Sequence, residues 1–546
     1  MERMKVHLRK DLGWESIKGV HIRGKAFDCT GLLSSLDLKC KMLNISKFED
    51  FVNLIKILNG FFAIIVERKD GAIWAAVDRM RSIPLFFGHK GNQGFFSDEA
   101  QWVIDQICVP ELKSPSACTD FLFSGYVTGN RTLYPSLKQL EAGNVLALIP
   151  DEKNLKIELL EYYSFLHGDY STETPNDLLE EQDRVVVGVF ERLARAAGGS
   201  QKIVPLSRGL DSRLVVMMLK RLGFKNVLCF SYGVPGNREA EISKKVAKEL
   251  GFHWEFVPYT PELWGQYYHS NLRKPYFSFA HGLSSLPHIQ DWPAVAELKK
   301  HGIAENGAMF VPGHSGDFLA GSHLGPDFFS NKTFSLDQVI EAIFEKHFVL
   351  HHEKNLSKLP SPLEPNLFGI KKRIRSQLKA IPIETPADGA SAFEYWDWKE
   401  RQAKFIVNSV RVYEYYGFSW WLPLWDREML RFWQKVPLGL REDQWLYKEY
   451  VTRVQQICQL RVKESLKVKF QQDIKLALKN IGLIGLARWV QQQAQCKLEP
   501  NKKWIEYQKH PLGWYTIIDF DRFSDFYTDK EKINSFIAVD IINSRI

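Results

Sequence analysis

An apolar, partly β-branched run, Lys202-Ile203-Val204-Pro205-Leu206, passes through Ser207-Arg208-Gly209-Leu210-Asp211-Ser212 into Arg213-Leu214-Val215-Val216-Met217-Met218-Leu219. The first stretch reads as a buried strand and the last as a helix closed by Gly223. The turn between them carries two hydroxyls, a glycine and an aspartate, and its backbone N–H groups and the helix N-terminus converge on one point. Such a corner suits a polyphosphate: the helix end supplies partial positive charge, the serines add donors, and Asp211 can hold Mg²⁺. No Gly-Lys-Ser/Thr follows, so this is not a Walker loop. Strand and helix signals then alternate, over Val227 to Tyr232, Glu239 to Leu250 and Trp254 to Tyr259. That alternation predicts a parallel α/β sheet.

The chain of 546 residues is too long for a single core. Its first 165 or so residues are rich in short β-type runs, among them Phe61 to Val66, Ala72 to Val77 and Asn144 to Ile149. A polar stretch, His167 to Asn176, reads as a linker, followed by a helical pattern from Leu178 to Ala197. The expected organisation is therefore an N-terminal domain over 1–165, a linker over 166–178, and a second domain over 179–546 that turns mostly helical from about residue 330. Seven cysteines (29, 40, 108, 118, 229, 458 and 496) lie far apart with no C-x-x-C pair, indicating neither a disulfide framework nor a zinc site. Residues 1–10 lack an apolar core and no apolar run is long enough to span a bilayer, so a cytoplasmic protein is expected. The net charge of +8 fits an anionic small molecule and is equally explained by scattered lysines. Basic segments such as Lys371 to Arg375 and Lys463 to Lys479 read as solvated helix faces, and no nucleic-acid partner is expected.

One further segment resembles the first corner in kind. Phe310-Val311-Pro312-Gly313-His314-Ser315-Gly316-Asp317-Phe318-Leu319-Ala320-Gly321 is another glycine-rich strand-to-helix turn with one carboxylate, and Asp317 could share a metal with Asp211. Tyr416-Gly417-Phe418-Ser419-Trp420-Trp421-Leu422-Pro423-Leu424-Trp425-Asp426 follows, and later Tyr447-Lys448-Glu449-Tyr450. Taken in order, these segments resemble the asparagine synthetase family, which includes β-lactam synthetases and lasso-peptide cyclases. The first is similar to its S-G-G-x-D-S pyrophosphate loop, the second to G-E-G-x-D-E, and the third to G-L-E-A-R-x-P-F-L-D. Arg411 falls where the family has a lysine, and Lys448 where it has its late active-site lysine. Upstream, Asn59 to Ala63, Asp78 to Phe87, Ser97-Asp98, Gly129 to Leu133 and Leu140 to Gly143 resemble the family's glutaminase domain.

The resemblance implies an α/β fold in two parts. The first is a four-layer sandwich like that of N-terminal-nucleophile glutaminases. The second is a parallel ATP-pyrophosphatase domain of the adenine nucleotide α-hydrolase type, with a helical C-terminal part. It implies ATP and Mg²⁺, with Leu206, Ser207, Arg208, Gly209, Leu210, Asp211, Ser212, Tyr232, Pro312 and Gly313 at the nucleotide, Asp211 and Asp317 at the metal, and Lys448, His314 and Arg411 as catalytic residues. The implied reaction is adenylation of a carboxylate followed by transfer of ammonia or an amine. The departures matter. Position 2 is Glu2 rather than the nucleophilic cysteine, and the first cysteine is Cys29, so no glutaminase activity is expected and ammonia would be free or come from a separate partner. The family's middle loop glycine is Arg208, its G-E-G glutamate is His314, and its L-E-A-R is Phe418-Ser419-Trp420-Trp421. An imidazole can still take a proton near neutral pH, and Ser419, Trp420 and Trp421 suggest an acceptor pocket for a ring such as a uronic acid or nucleotide-sugar acid. Surface-polysaccharide or secondary metabolism is the expected setting. An ammonia-fed asparagine synthetase, a cyclising amide synthetase and a silent nucleotide-binding scaffold are the alternatives, and assembly as a homodimer is left open.

Overall fold

The computed structural model describes residues 4–107, 112–151, 155–330, 332–351, 366–461, 504–505, 507–526 and 533–543. Glu2, Cys108, Cys496 and the basic stretch Lys463 to Lys479 lie outside them. Among the described residues no helix is long and apolar enough to cross a membrane.

The apolar runs of the N-terminal part are buried on both faces. Asn59–Glu67, Ile73–Val77 and Asn144–Pro150 are central strands of a seven-stranded antiparallel sheet. Side chains alternate across a strand. Phe62, Ile64, Val66, Trp74 and Ala76 therefore pack with Leu38, Met42, Phe51 and Ile55 of the helices Ser35–Leu43 and Phe48–Ile57. Phe61, Ala63, Ile65, Ala75 and Val77 face the opposite way, into a core shared with Phe87 and Phe96 of a four-stranded sheet. The outer face of that second sheet is covered by the helix Ala100–Ile107 through Phe86, Phe95 and Val103.

The helix expected from Leu178 begins one turn earlier, at Pro175. Thr174 and Asp177 form a reciprocal capping box there, and proline occupies the first position, where no N–H is needed. The helix delivers the chain to the central strand, Lys202–Pro205, of a five-stranded parallel sheet. Val227–Gly233 and His253–Pro258 lie in succession on one side of it; Met309–Phe310 and then Ser419–Trp420 lie on the other. Strand order reverses between Lys202–Pro205 and Met309–Phe310. The carboxyl ends of two such neighbours splay their loops apart and leave a crevice, where open α/β sheets bind ligands.

The two halves share one continuous core that runs from Met4 to Ile541. Asp426 fastens them: it accepts both Arg192 bonds, at 2.7 and 2.8 Å, and the amide of Asn59 at 3.1 Å. Trp420 and Trp421 lie at the same seam. Trp420 is 9% exposed and Trp421 2%, and both rings pack on Phe61, at 5.6 and 4.8 Å between centroids. The expectation that they line an open acceptor pocket is therefore corrected. An edge strand that must bury its outer side against a second sheet needs large apolar side chains, and these indoles supply them. Ser419 is exposed, and its hydroxyl donates to the Ala308 carbonyl at 3.2 Å.

Candidate functional site at the strand reversal

The first corner folds around its own hydroxyls. Ser212 Oγ takes the Ser207 N–H at 3.1 Å and contacts Ser207 Oγ at 3.1 Å, while Ser207 Oγ accepts the Gly209 N–H at 3.1 Å. Beneath the loop, Ser231 and Ser243 donate to the Leu206 carbonyl at 2.7 and 2.9 Å. Ser207, Arg208 and Gly209 are exposed, so the arginine that replaces the expected glycine leaves the loop towards solvent. The helix Leu210–Arg221 starts at Gly209 with no side chain capping it. Its first amides are therefore available to an anion.

The second turn is pressed onto the first. A Cβ on Gly313 would stand 2.6 Å from the Ser212 nitrogen and 2.7 Å from the Asp211 carbonyl carbon. One on Gly316 would stand 2.9 Å from Asp211 Oδ1 and 2.5 Å from the Tyr447 hydroxyl. Only glycine permits this approach. As a result the Asp317 N–H donates to Asp211 Oδ2 at 3.2 Å, and the Tyr447 hydroxyl donates to Asp211 Oδ1 at 2.7 Å. Burial, with the Asp317 carboxylate next, pushes the Asp211 carboxyl well above the usual carboxylate range, against the pull of these donors. Asp317 itself is exposed and accepts from Ser322 Oγ at 3.2 Å. Two carboxylates on separate turns, one of them destabilised as an anion, form a set that a divalent cation would relieve. Among the described residues no group of three or more His, Cys, Asp or Glu side chains could hold a metal by itself.

The other expected site residues divide into two groups. Pro312, next to Gly313 in the chain, is buried. Tyr232, at the end of Val227–Gly233, stacks on Tyr259 with centroids 5.2 Å apart, beside the crevice. Lys448 is exposed on the helix Trp445–Ile457, one residue beyond Tyr447. His314 lies on the second turn, with Nε2 3.5 Å from Ser409 Oγ and Nδ1 unpartnered. Burial and the nearby His288 push its pKa down to about 4. The imidazole is then neutral at pH 7 and a weaker base than a free imidazole. Arg411 departs further. It pairs with Glu414 and donates to the Ser82 carbonyl of the N-terminal half, so no contact ties it to the Asp211–Asp317 pair.

Three features of the site were missed in the sequence. Tyr447 is one; it sits next to the lysine that drew attention, and nothing in its spacing marks it. A second is the polar chain behind the Asp317 turn. Ser315 donates to Gln402 at 2.9 Å, Gln402 donates to Asp397 at 3.1 Å, and Asp397 also meets His323 at 2.5 Å. Gln402 lies in a widened helical segment, Trp398–Ile406, of a kind that often accompanies functional sites. The third is the C-terminal segment. The Pro511 carbonyl accepts the Val234 N–H at 2.6 Å, the Leu512 carbonyl accepts the Trp264 indole at 3.0 Å, and a Cβ on Gly233 would meet Pro511 O at 2.5 Å. The segment covers the end of the strand that carries Tyr232.

Known proteins resemble parts of this chain. A family model described as a glutamine amidotransferase domain matches residues 48–163. A probable glutamine-hydrolysing asparagine synthetase of Acanthamoeba polyphaga mimivirus is 24% identical over 229 residues, 41% of this chain and 39% of that protein. A putative glutamine-hydrolysing asparagine synthetase of Methanocaldococcus jannaschii is 26% identical over 191 residues, 33% of this chain and 35% of that protein. The chain thus spans well under half the length of either relative. Among solved structures, an ammonia-dependent NAD synthetase of Campylobacter jejuni is 12% identical, with 42% of this chain and 96% of that one covered and a TM-score of 0.21.

Proposed function

We propose, for a chain that is asparagine synthetase-like, that it is an ATP-dependent carbon–nitrogen ligase whose second half is an ATP-pyrophosphatase domain. The observation that carries this reading is the meeting of Asp211 and Asp317 at the strand reversal, below a hydroxyl-bearing loop and an uncapped helix start. The loop amides, Ser207, Ser212 and the exposed Arg208 would take the phosphates. The adenine would lie by Tyr232, under the Pro511–Gly513 segment. Asp211 and Asp317 would hold Mg²⁺, which is commonly bound by one or two carboxylates with phosphate oxygens completing the shell. When bound, the ion offsets the charge of the departing pyrophosphate.

Chemistry then follows from positioning. A carboxylate oxygen of the acceptor attacks the α-phosphorus as the bond to pyrophosphate breaks. Ammonia or an amine next attacks the acyl carbon, gives up a proton, and AMP leaves. Lys448 would supply positive charge near the phosphates, and most of the rate would come from alignment and fixed charge. Neutral His314 would act as a hydrogen-bond partner. Cys118 and Cys229 are poor candidates for nitrogen delivery: burial pushes them up to about 11 and about 12, whereas a nucleophilic thiol needs a lowered value. With both tryptophans at the seam, no described side chain favours a sugar acid, and aspartate returns to the candidate acceptors.

The test is product analysis with Mg²⁺, ATP, ammonium and a panel of acids that includes aspartate and glucuronate. Acid-dependent release of AMP and pyrophosphate supports the reading. Release of ADP and phosphate contradicts it.

A further inference from the structure

A cavity of about 280 Å³ lies between the two halves, lined from one side by Arg9, Arg23, Arg81 and Asp98 and from the other by Phe279, His281 and Arg411. Its guanidiniums are unequally served. Arg9 is paired with Asp11 at 2.7 Å. Arg23, at 2.6 Å, and Arg411 share Glu414, which also accepts the Trp420 indole. Asp98 is occupied by the Arg9 amide at 3.1 Å and the Trp14 indole at 2.7 Å.

Arg81 has no such partner. It is 3% exposed, its Nε is unpaired, and among the described residues its side chain makes no hydrogen bond or ion pair. The Phe86 ring, 5.8 Å away, offers it a face, and Glu141, Glu400 and Asp78 act on it through space without forming an ion pair. Burial and then Arg411 push its pKa down to about 9, so it is still charged at neutral pH. His281 adds a second unsatisfied donor. Its Nδ1 accepts the Leu283 N–H at 2.8 Å, so the neutral ring carries its proton on Nε2, which is buried and unpartnered. A buried charge without a partner is strongly unfavourable and is seldom kept without a use.

We propose that this cavity binds a small organic anion, whose carboxylate or phosphate group pairs with Arg81 and His281 and whose body lies against Phe279. The size lies just below the usual range of ligand pockets, about 300–1,000 Å³, and suits a small molecule. No residue of the nucleotide loop lines the cavity, so the site stands whether or not the chain adenylates a carboxylate. Residues 408–411 join the two places: Asn408 and Arg411 face the cavity, and Ser409 faces His314.

The experiment uses the full chain and titrates succinate, benzoate and inorganic phosphate by calorimetry at constant ionic strength, with ATP binding followed in parallel. At least one probe should bind the natural chain with saturation, with a Kd below about 1 mM. Arg81→Gln should weaken it by about tenfold or more, since a charge-assisted pair is lost. Arg81→Lys, which keeps the charge without the planar fork, should fall between. ATP affinity should not move, and Arg81→Gln should melt higher than the natural chain when no anion is present. Saturation by the carboxylates alone identifies an organic acid, and by phosphate alone a phosphate ester. Absence of saturable binding by all three probes overturns the proposal, as does equal binding by Arg81→Gln.

Discussion

Two places in this molecule bring like charges together, and they do so differently. At the strand reversal the crowded groups are Asp211 and Asp317, and Asp211 keeps two donors while Asp317 reaches solvent. At the junction the crowded groups are Arg81 and Arg411, and Arg81 keeps none. The carboxylates are thus partly satisfied and open, which suits a cation that arrives with a phosphate chain and leaves with it. The guanidinium lines a cavity and lacks a hydrogen-bond partner among the described residues, which suits an anion held for longer. On the proposed readings, the comparison separates a place where charge is exchanged during a reaction from one that is completed by a bound anion.

The largest effect should come from Asp211→Asn. It leaves the fold in place, removes the like-charge contact, and should lower AMP formation by about a thousandfold, in line with loss of one fixed electrostatic element. Retained turnover would dissolve the contrast, since the carboxylate pair would then be structural. Next is Gly316→Ala, whose Cβ would press on the Tyr447 hydroxyl and on Asp211. Chemical denaturation should show a loss of about 1–3 kcal/mol, together with weaker Mg²⁺–nucleotide binding.

Changing pH should move the two places in opposite directions. Protons compete with a cation at Asp211, whose carboxyl is raised, so Mg²⁺–nucleotide affinity should increase as pH rises through its shifted value. Folding linkage has the reverse sign: a raised carboxyl contributes stability at low pH that is lost as pH rises through that value, and the unliganded chain should lose it over the same span. Anion affinity at Arg81 should stay level through neutrality and fall as pH passes about 9. Tyr447→Phe removes one donor, costs about 1 kcal/mol, and should move the Mg²⁺–nucleotide profile to higher pH. Trp420→Phe should have the smallest effect. It loses the 2.9 Å bond to Glu414 and should leave the acceptor KM unchanged. A KM raised severalfold would return the indole to the acceptor pocket.

Much of this was legible in the sequence where local pattern and tertiary role coincide. The apolar run, the Ser–Gly–Asp–Ser corner and the following helix appear where the residues place them, as do the strand Val227–Gly233 and the helix Arg238–Leu250. The same loop chemistry marked Asp211 and Asp317 as partners, and the two turns do meet. What was not legible depends on contacts between distant segments. Trp420-Trp421 reads alike as pocket or core until Phe61 is seen against it. His314 reads as a base until its burial is known. Arg81 sits in a motif similar to a glutaminase segment, and only the folded chain shows that no acid among the described residues pairs with it directly. The Pro511–Gly513 segment has no motif at all; its role depends on carbonyls that cover Gly233.

The central claim is that Asp211 and Asp317 together hold the metal of a nucleotide bound at the strand reversal. A crystal structure of the full chain with ATP and Mn²⁺ in place of Mg²⁺ tests it directly, because anomalous scattering locates the ion independently of the chain tracing. The account predicts a peak with oxygens of both aspartates and of the phosphates about 2.0–2.3 Å away, and the adenine beside Tyr232. A nucleotide bound elsewhere, or a metal that touches neither carboxylate, would contradict it.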